Sequence, residues 1–514
     1  MSRKLFKSTA IISLMTLLSR ISGLVRDVVM ANILGPGALS DAFVVAFRIP
    51  NFLRRIFAEG AFSQAFIPVF AELTERNTLE AKQFVNTSAG ILALVTFLLT
   101  GLGIIFAPEI VALLAPGFKQ HPEKLAVTVN SLRLMFPYLF CISLVAMSAG
   151  ILNTVSRFAV PAVTPVLLNI CLITAMLVLT PLLDNAAQAL AYGVLIAGFI
   201  QLFFQIPSLL KEGYFPSFRI DFKNKAVRRV CTLMLPTIFS VSVVQINMFV
   251  SMVLASRLET GSVSWLYYSD RLMEFPVGVF GIALATVVLP NLSKKHASGS
   301  NESFSAMLDW ALRWVVLIAV PASLGLYLLA TPLLATIFQH GEFSVRDVEM
   351  SALALQAIAI GVSGFIFIKV LAPGFFAQQD TKTPVKIAVV AVLVNIVLSI
   401  IFVKSMAHVG LALAISISAW VNASLLLCVL VMRKSYRPQG GWFFFIIRVA
   451  IAVGAMGLCL WYLNVEPDVW FEKTFWGRVI DLSILIIAAM VTYFIALLAM
   501  GIRPKQLLLS PQHS

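Results

Sequence analysis

The amino-acid sequence predicts an all-α polytopic membrane protein: fourteen transmembrane helices in two pseudo-symmetric six-helix lobes, followed by two C-terminal helices. Composition, the recurrence of long apolar runs and an internal repeat carry that prediction. Of 514 residues, 60% are hydrophobic and 12% charged, and the mean hydropathy is +0.94. Soluble domains are about half apolar and a quarter charged. A span needs about 20 apolar residues, and such runs recur along nearly the whole chain. They lack strict period-2 alternation and are rich in Leu, Ala and Met, so they read as helices rather than barrel strands. No connecting segment is long enough for a soluble domain.

The first run, 8–34, follows Arg3, Lys4 and Lys7 and so begins like a signal peptide. Arg20 breaks it, no convincing small-residue cleavage site follows, and it continues as a long helix, which makes it a retained span. The second, 39–70, is interrupted by Pro50, which frees backbone groups that need polar company. Runs 81–114, 124–154, 161–183 and 187–210 complete a first set of six. Runs 227–256, 262–292, 303–338, 349–377, 384–405 and 409–432 form a second six, and 442–463 and 479–501 a final pair. The string WFFFIIR at Trp442–Arg448 reads as an interfacial aromatic belt entering a span. Tilt accommodates the longer runs.

The two sets of six are related. At an offset of about 224 residues, Ser40 meets Ser264, Pro108 meets Pro332, Gly117 meets Gly341 and Gly150 meets Gly374; Pro161 and Pro384 follow one residue closer. FAPEIVALLAPGF and LATPLLATIFQHGEF occupy equivalent places. Six helices plus six, both starting on the same side, describe a parallel duplication about an axis along the membrane normal. The domains predicted are residues 1–215, 216–436 and, outside the repeat, 437–514.

Lys and Arg set the orientation. The termini and the even-to-odd connections hold about 21 of the 38, among them Lys211, Arg219, Lys223, Lys225, Arg228, Arg229, Lys294, Lys295, Arg433, Lys434 and Arg437. The opposite loops hold Lys119, Lys124, Arg257, Arg346, Lys404 and Lys473. Both termini are therefore expected in the cytoplasm. The net charge of +14 follows from this bias, so a nucleic-acid partner is not implied. The cysteines Cys141, Cys171, Cys231, Cys428 and Cys459 are isolated in apolar segments without metal spacing. The histidines are far apart, and HExxH, P-loop and G-x-S-x-G motifs are absent, so an enzyme is disfavoured.

Against this apolar background the first two runs carry an anomalous set of charges. An ionisable side chain at a helix centre costs about 2.5–3.5 kcal/mol on insertion scales. On the second run Asp41, Arg48, Arg55 and Glu59 are spaced seven, seven and four, on one face, with Asn51 close by and Arg54 one position around. On the first, Ser19, Ser22 and Arg26 share a face, and Arg20 and Asp27 form an i, i+7 pair. In the second lobe Tyr267, Arg271 and Glu274 align, with Asp270 beside Arg271; Arg313 and Lys369 are further charges inside spans. Each arginine could neutralise a nearby acid: Arg55 with Glu59, Arg26 with Asp41, Arg271 with Glu274. Collectively Arg20, Arg26, Arg48, Arg54 and Arg55 outnumber Asp27, Asp41 and Glu59. Surplus positive charge in a wet cavity suits a mobile anion, and arginine's planar fork suits phosphate oxygens.

The strings SRISGLVRDVVMA, SDAFVVAFRIPNFLRRIFAEGAFSQAFIPVFAE, SVSWLYYSDRLMEFPVGVFGIALATVVLPNLSK and KVLAPGFFAQQDTKTPVKIA closely resemble the lipid II flippase family MurJ (MviN), of the multidrug/oligosaccharidyl-lipid/polysaccharide exporter superfamily. The resemblance runs over essentially the whole chain. It implies two six-helix lobes, two further helices flanking a hydrophobic groove, and transport of lipid II, the undecaprenyl-pyrophosphate-linked peptidoglycan precursor, across a bacterial inner membrane by alternating access. It places Arg20, Arg26, Arg54 and Arg271, with Ser19, Asp27, Asn51, Ser264 and Glu274, near the substrate, and leaves Asp41, Arg55 and Glu59 for charge pairing. It implies lipid II and membrane lipids as partners, a functional monomer, and neither cofactor nor bound metal; cation coupling stays open. Another lipid-linked oligosaccharide flippase or a cation-coupled exporter of the same superfamily is the alternative, although a drug exporter should carry acids in excess of arginines.

Overall fold

The computed structural model describes residues 3–55, 61–183 and 185–502, and these are helical with no strand. The chain divides into two compact units, Met1–Ser264 and Trp265–Ser514. Ten helical stretches among the described residues are long and apolar enough to cross a membrane. One of them, Lys382–Met432, breaks at Ala407 (φ 47°), a backbone conformation that β-carbons disfavour. It therefore holds both predicted runs 384–405 and 409–432. The predicted spans 8–34, 39–70 and 227–256 fall outside the ten. The first carries Arg20, Arg26 and Asp27, the helix of the second ends at Arg54 after 17 residues, and in the third the described apolar stretch is Gln245–Ala255.

The first unit contains α1 (Arg3–Leu34), α2 (Ala38–Arg54), α3 (Ala61–Arg76), α4 (Thr78–Ile105), α5 (Ala107–Leu114), α6 (Pro122–Met135), α7 (Pro137–Thr154), α8 (Ala159–Val178), α9 (Thr180–Leu183), α10 (Ala186–Glu212) and α11 (Lys225–Ala255). Helix α1 lies on α8, α2 on α6, α11 on α3, and α10 on α7 and α8. Phe62, Phe66 and Phe70, one turn apart on α3, stack with centroids 5.1 and 5.6 Å apart. Phe84 of α4 joins Phe66 at 5.1 Å, and Tyr214 meets Phe70 edge-on at 5.2 Å. Each such contact contributes about 0.5–1.5 kcal/mol beyond area burial. The segment after α10 is then strapped across α4. Ser217 N donates to Asn86 Oδ1 (2.9 Å) and Arg219 N to Asn86 O (3.1 Å). A Cβ at Gly90 would stand 2.2 Å from the Arg219 carbonyl oxygen, so only glycine admits this crossing.

The second unit takes up α12 (Ser262–Pro276) from Trp265 onward, then α13 (Ile282–Ala297), α14 (Asn301–Leu328), α15 (Ala330–Ile337), α16 (Val345–Phe376), α17 (Lys382–Met432), α18 (Trp442–Leu463), α19 (Pro467–Glu472) and α20 (Phe475–Ala499). A π-helical turn, Val277–Gly281, joins α12 to α13. Helix α16 packs on α14 and α17, and α18 on α14 and α20. The repeat is visible in backbone detail: α4 and α5 part at Phe106 (φ −90°, ψ 15°) and α14 and α15 at Leu329 (φ −98°, ψ 16°). The predicted runs 81–114 and 303–338 are thus each a long helix plus a short one. Run 124–154 is also broken, at Phe136 before Pro137, where the proline ring cannot continue the preceding hydrogen-bond ladder.

The linker between α17 and α18 is fixed by one buried acid. Asp309 Oδ1 accepts from Tyr436 Oη (2.8 Å), Gln439 N (3.1 Å) and Trp442 Nε1 (2.6 Å), while Oδ2 takes Arg313 Nε (2.9 Å). Arg313 in turn donates to Gly440 O at 3.0 Å and lies over the Trp442 ring. This in-span arginine is thereby matched within one turn of its own helix. Burial, and then the Asp309 carboxylate, push the Tyr436 phenol above its ordinary value, so it remains a donor. Asp309→Ala should orphan these donors and cost about 3 kcal/mol. A clear fall in unfolding temperature in detergent is expected, and an unchanged melt would show that the anchor is dispensable.

Candidate functional site

In the first unit the structure assembles three polar groups from the charged stripe. The first centres on Arg26, which is 9% exposed, and Asp27, which is fully buried. Asp27 Oδ1 accepts from Arg26 Nε (2.9 Å) and Nη2 (2.6 Å), and Arg26 Nη1 donates to Asn169 Oδ1 on α8 (3.1 Å). Asn169 Nδ2 reaches Ser22 Oγ (2.9 Å) and the Ser19 carbonyl (3.3 Å). So Ser19, Ser22 and Arg26, aligned by helical spacing, meet one amide from another helix. Asp27 pairs with its neighbour Arg26, not with Arg20 at i, i+7. Arg20 is half-buried.

The second group lies at the end of α2. Both Arg54 Nε (3.0 Å) and Nη2 (2.7 Å) donate to Asn51 Oδ1. Both side chains are half-buried, as are Arg48 and Arg55, and Arg55 Nη1 lies 3.9 Å from the Met248 sulfur. Glu59 lies outside the described residues, and with it the expected Arg55–Glu59 pair.

The third group corrects an expectation. Asp41 was matched by sequence with Arg26, but Oδ2 accepts from Lys124 Nζ (2.7 Å) and Gly261 N (2.9 Å), and Oδ1 from Ser264 N (3.0 Å) and Ser264 Oγ (2.6 Å). Lys124, sorted by sequence with the loop cations, is 6% exposed on α6, its ammonium 4.2 Å from the Phe118 ring centroid. Its long stem lets a residue near a helix start bury its charge inside the bundle. Asp41 also satisfies amides at the start of α12, where its negative charge meets the helix dipole. Ser40 and Ser264, matched by the repeat, stand 3.0 Å apart. Because Lys124 occupies Asp41, fewer carboxylates remain to balance the arginines than a count along α1 and α2 implies.

In the second unit Arg271 Nη1 donates to Glu274 Oε2 (3.0 Å); the arginine side chain is 30% and the glutamate 55% exposed. Lys369 is exposed on α16. Asp347, at the start of α16, caps that helix through Ser344 and accepts from Trp265 Nε1 at 2.8 Å. Arg478 of α20 is 6% exposed and donates to the carbonyls of Trp470 (2.9 Å), Ala335 (3.0 Å) and Phe471 (2.9 Å), closing the ends of α15 and α19. A wholly apolar recess on α20 is lined by Ile487, Met490, Val491, Phe494, Ile495 and Leu498. Among the described residues no cluster of His, Cys, Asp and Glu is arranged to hold a metal.

Asn169 and Lys124 belong to this geometry although the sequence alone does not single them out as partners of the stripe. The only signal for Asn169 is an amide inside an apolar run, which demands a partner without naming it. Lys124 sits at the border of its run, where loop and helix start look alike.

Comparison with solved structures first defines a class. An inward-facing multidrug resistance MATE family transporter of the MOP superfamily superposes with TM-score 0.67 at 16% identity, over 81% of this chain and 94% of that one. The chain therefore shares its fold with that transporter. A structure of lipid II flippase MurJ in an inward closed conformation superposes at TM-score 0.80, with 27% identity over 94% of this chain and 97% of that chain. The sequence model described as lipid II flippase MurJ matches residues 30–501. A probable lipid II flippase MurJ from Vibrio cholerae is 42% identical over 98% of both chains. The lipid II flippase MurJ of Burkholderia cenocepacia is 42% identical over 89% of this chain and 90% of that one. The chain belongs to the MurJ family.

Removing one partner of a buried ion pair costs about 3–5 kcal/mol because the other charge is stranded. Lys124→Met and Asp41→Asn should each lower stability by that order, whereas the double variant should recover at least half of the summed loss. Thermal melts of the four proteins in one detergent measure this; additive losses would mean that the two side chains act separately.

Proposed function

We infer that this chain is a lipid II flippase that moves the undecaprenyl-pyrophosphate-linked disaccharide-pentapeptide from the cytoplasmic to the periplasmic leaflet of a bacterial inner membrane. The observation that carries the inference is the family match across residues 30–501. It is supported by arginines buried or half-buried on apolar helices, the chemistry that a pyrophosphate requires. The chain transports and performs no covalent step, acts as a monomer, and keeps both termini in the cytoplasm, as its Lys and Arg distribution favours.

The mechanism is alternating access, with residues 1–215 and 216–436 as the moving lobes and 437–514 as an appendix for the lipid tail. Arg20, Arg26, Arg54 and Arg271 hold the headgroup, aided by Ser19 and Asn51, whereas Ser264, fully buried with its N–H and hydroxyl on Asp41, serves that acid instead. The prenyl tail stays in lipid, along the apolar surface of α18 and α20. Asp27 and Glu274 hold the arginines when the anion has left, lowering the energy of the empty state. Asp41, Arg55 and Glu59 serve charge pairing. Bound anion and internal carboxylates thus compete for the same N–H donors.

Arg26→Ala and Arg54→Ala should each reduce flipping by about thirtyfold or more while the protein remains folded in the membrane. Lysine at either position should retain part of the rate, since it keeps the charge but loses the fork. A leaflet-accessibility assay for lipid II in cells depleted of the native protein reads both results, and normal flipping by either alanine variant would sink the headgroup assignment.

A further inference from the structure

The geometry points to Asn169 as the positioning residue for Arg26: this buried amide of α8 sets the plane in which the guanidinium meets a pyrophosphate. The inference rests on the reading of Arg26 as a headgroup ligand. Both bonds from Arg26 to Asp27 end on one oxygen, Oδ1. That contact neutralises the arginine along one edge of the guanidinium. A further bond, from Nη1 to Asn169 Oδ1 at 3.1 Å, holds the opposite end of the fork. Three of the five N–H donors are thereby directed by two residues. Asp27 is fully buried while the Arg26 side chain keeps 11% of its surface exposed, so the support lies on the inner side of the arginine.

Asn169 is itself held one way round. It is 6% exposed, and its Nδ2 donates to Ser22 Oγ (2.9 Å) and to the Ser19 carbonyl (3.3 Å), while Ser22 Oγ donates to the same carbonyl at 3.0 Å. Turning the amide over would set its NH₂ against the guanidinium and its oxygen against the Ser19 carbonyl, losing the bonds to Arg26 and to that carbonyl. Donors therefore run from Arg26 through Asn169 to Ser22 and Ser19. The neutral amide suits the task. A second carboxylate here would leave the cluster net negative and repel the anion that Arg26 is to bind.

A double-mutant cycle on the full-length protein in detergent, read as lipid II affinity, tests the assignment. Asn169→Leu should weaken lipid II binding about tenfold, the scale of a hydrogen bond to a charged group. In an Arg26→Lys background, where one ammonium cannot span both partners, the same change should add less than about twofold. Ser22→Ala, which frees the amide to turn, should weaken binding about threefold and likewise add nothing beside Arg26→Lys; it provides the same reading if Asn169→Leu fails to fold. Unchanged affinity in both Asn169→Leu and Ser22→Ala, or penalties that multiply with Arg26→Lys, would reduce Asn169 to helix packing and overturn the proposal. Arg26→Ala separates the two levels. If it binds lipid II normally, the headgroup reading fails; if it loses binding while Asn169→Leu does not, only the positioning role fails.

Discussion

A formal charge carried into an apolar helix bundle must be neutralised, hydrogen-bonded or used, and the polar architecture of this chain follows from that constraint. Arg26 is matched by Asp27 and Asn169, Asp41 by Lys124 and the start of α12, and Asp309 by Arg313 and three neutral donors. Arg478 is satisfied by backbone carbonyls at two helix ends. The solutions differ in kind. Asp41 and Asp309 use nearly every lone pair on fixed partners and so tie elements together. The Arg26 cluster keeps its acid wholly buried and its cation at an edge, an arrangement that supports exchange with an external anion.

The two units share backbone features, and the polar chemistry placed on them differs. Backbone breaks at Phe106 and Leu329 are nearly superimposable in dihedral angle. At the start of α2, Asp41 reaches Lys124 of α6, 83 residues on. In the second unit Trp265 reaches Asp347, 82 residues on, with the acid now on the other side of the pair. A buried ion pair and an indole–carboxylate bond thus fill equivalent places. Helix geometry was retained while the charge was rearranged, as expected when packing fixes the backbone and side chains remain free to trade partners.

Helix existence and limits were largely legible, because an apolar run of span length has few alternatives to a helix. Predicted runs 187–210, 349–377 and 442–463 lie within a few residues of α10, α16 and α18. Partners were less legible. Spacing of seven along α2 correctly puts Asp41 and Arg48 on one face, but period alone says nothing about which helix that face meets. Lys124, Asn169 and the three linker donors to Asp309 all lie 80 or more residues from the side chain they satisfy. Local pairs such as Arg271–Glu274 and Arg54–Asn51 were within reach of helical spacing, because i, i+3 neighbours need no tertiary information.

The Arg26–Asp27 contact bears on how a flippase can cycle at all. A cation that bound pyrophosphate irreversibly would trap the headgroup, and one left bare after release would face the full desolvation penalty of an isolated charge. On the proposed reading an adjacent carboxylate removes both difficulties, since anion and acid exchange places on the same guanidinium and the net change in free energy is a difference between two ion pairs. That exchange works only if the guanidinium does not collapse onto the acid in an orientation closed to the anion. The amide of Asn169, bonded to Arg26 Nη1, opposes such a collapse. Neutralisation and orientation are thus assigned to separate residues on separate helices, and α1 and α8 have to stay in register for Arg26 to work.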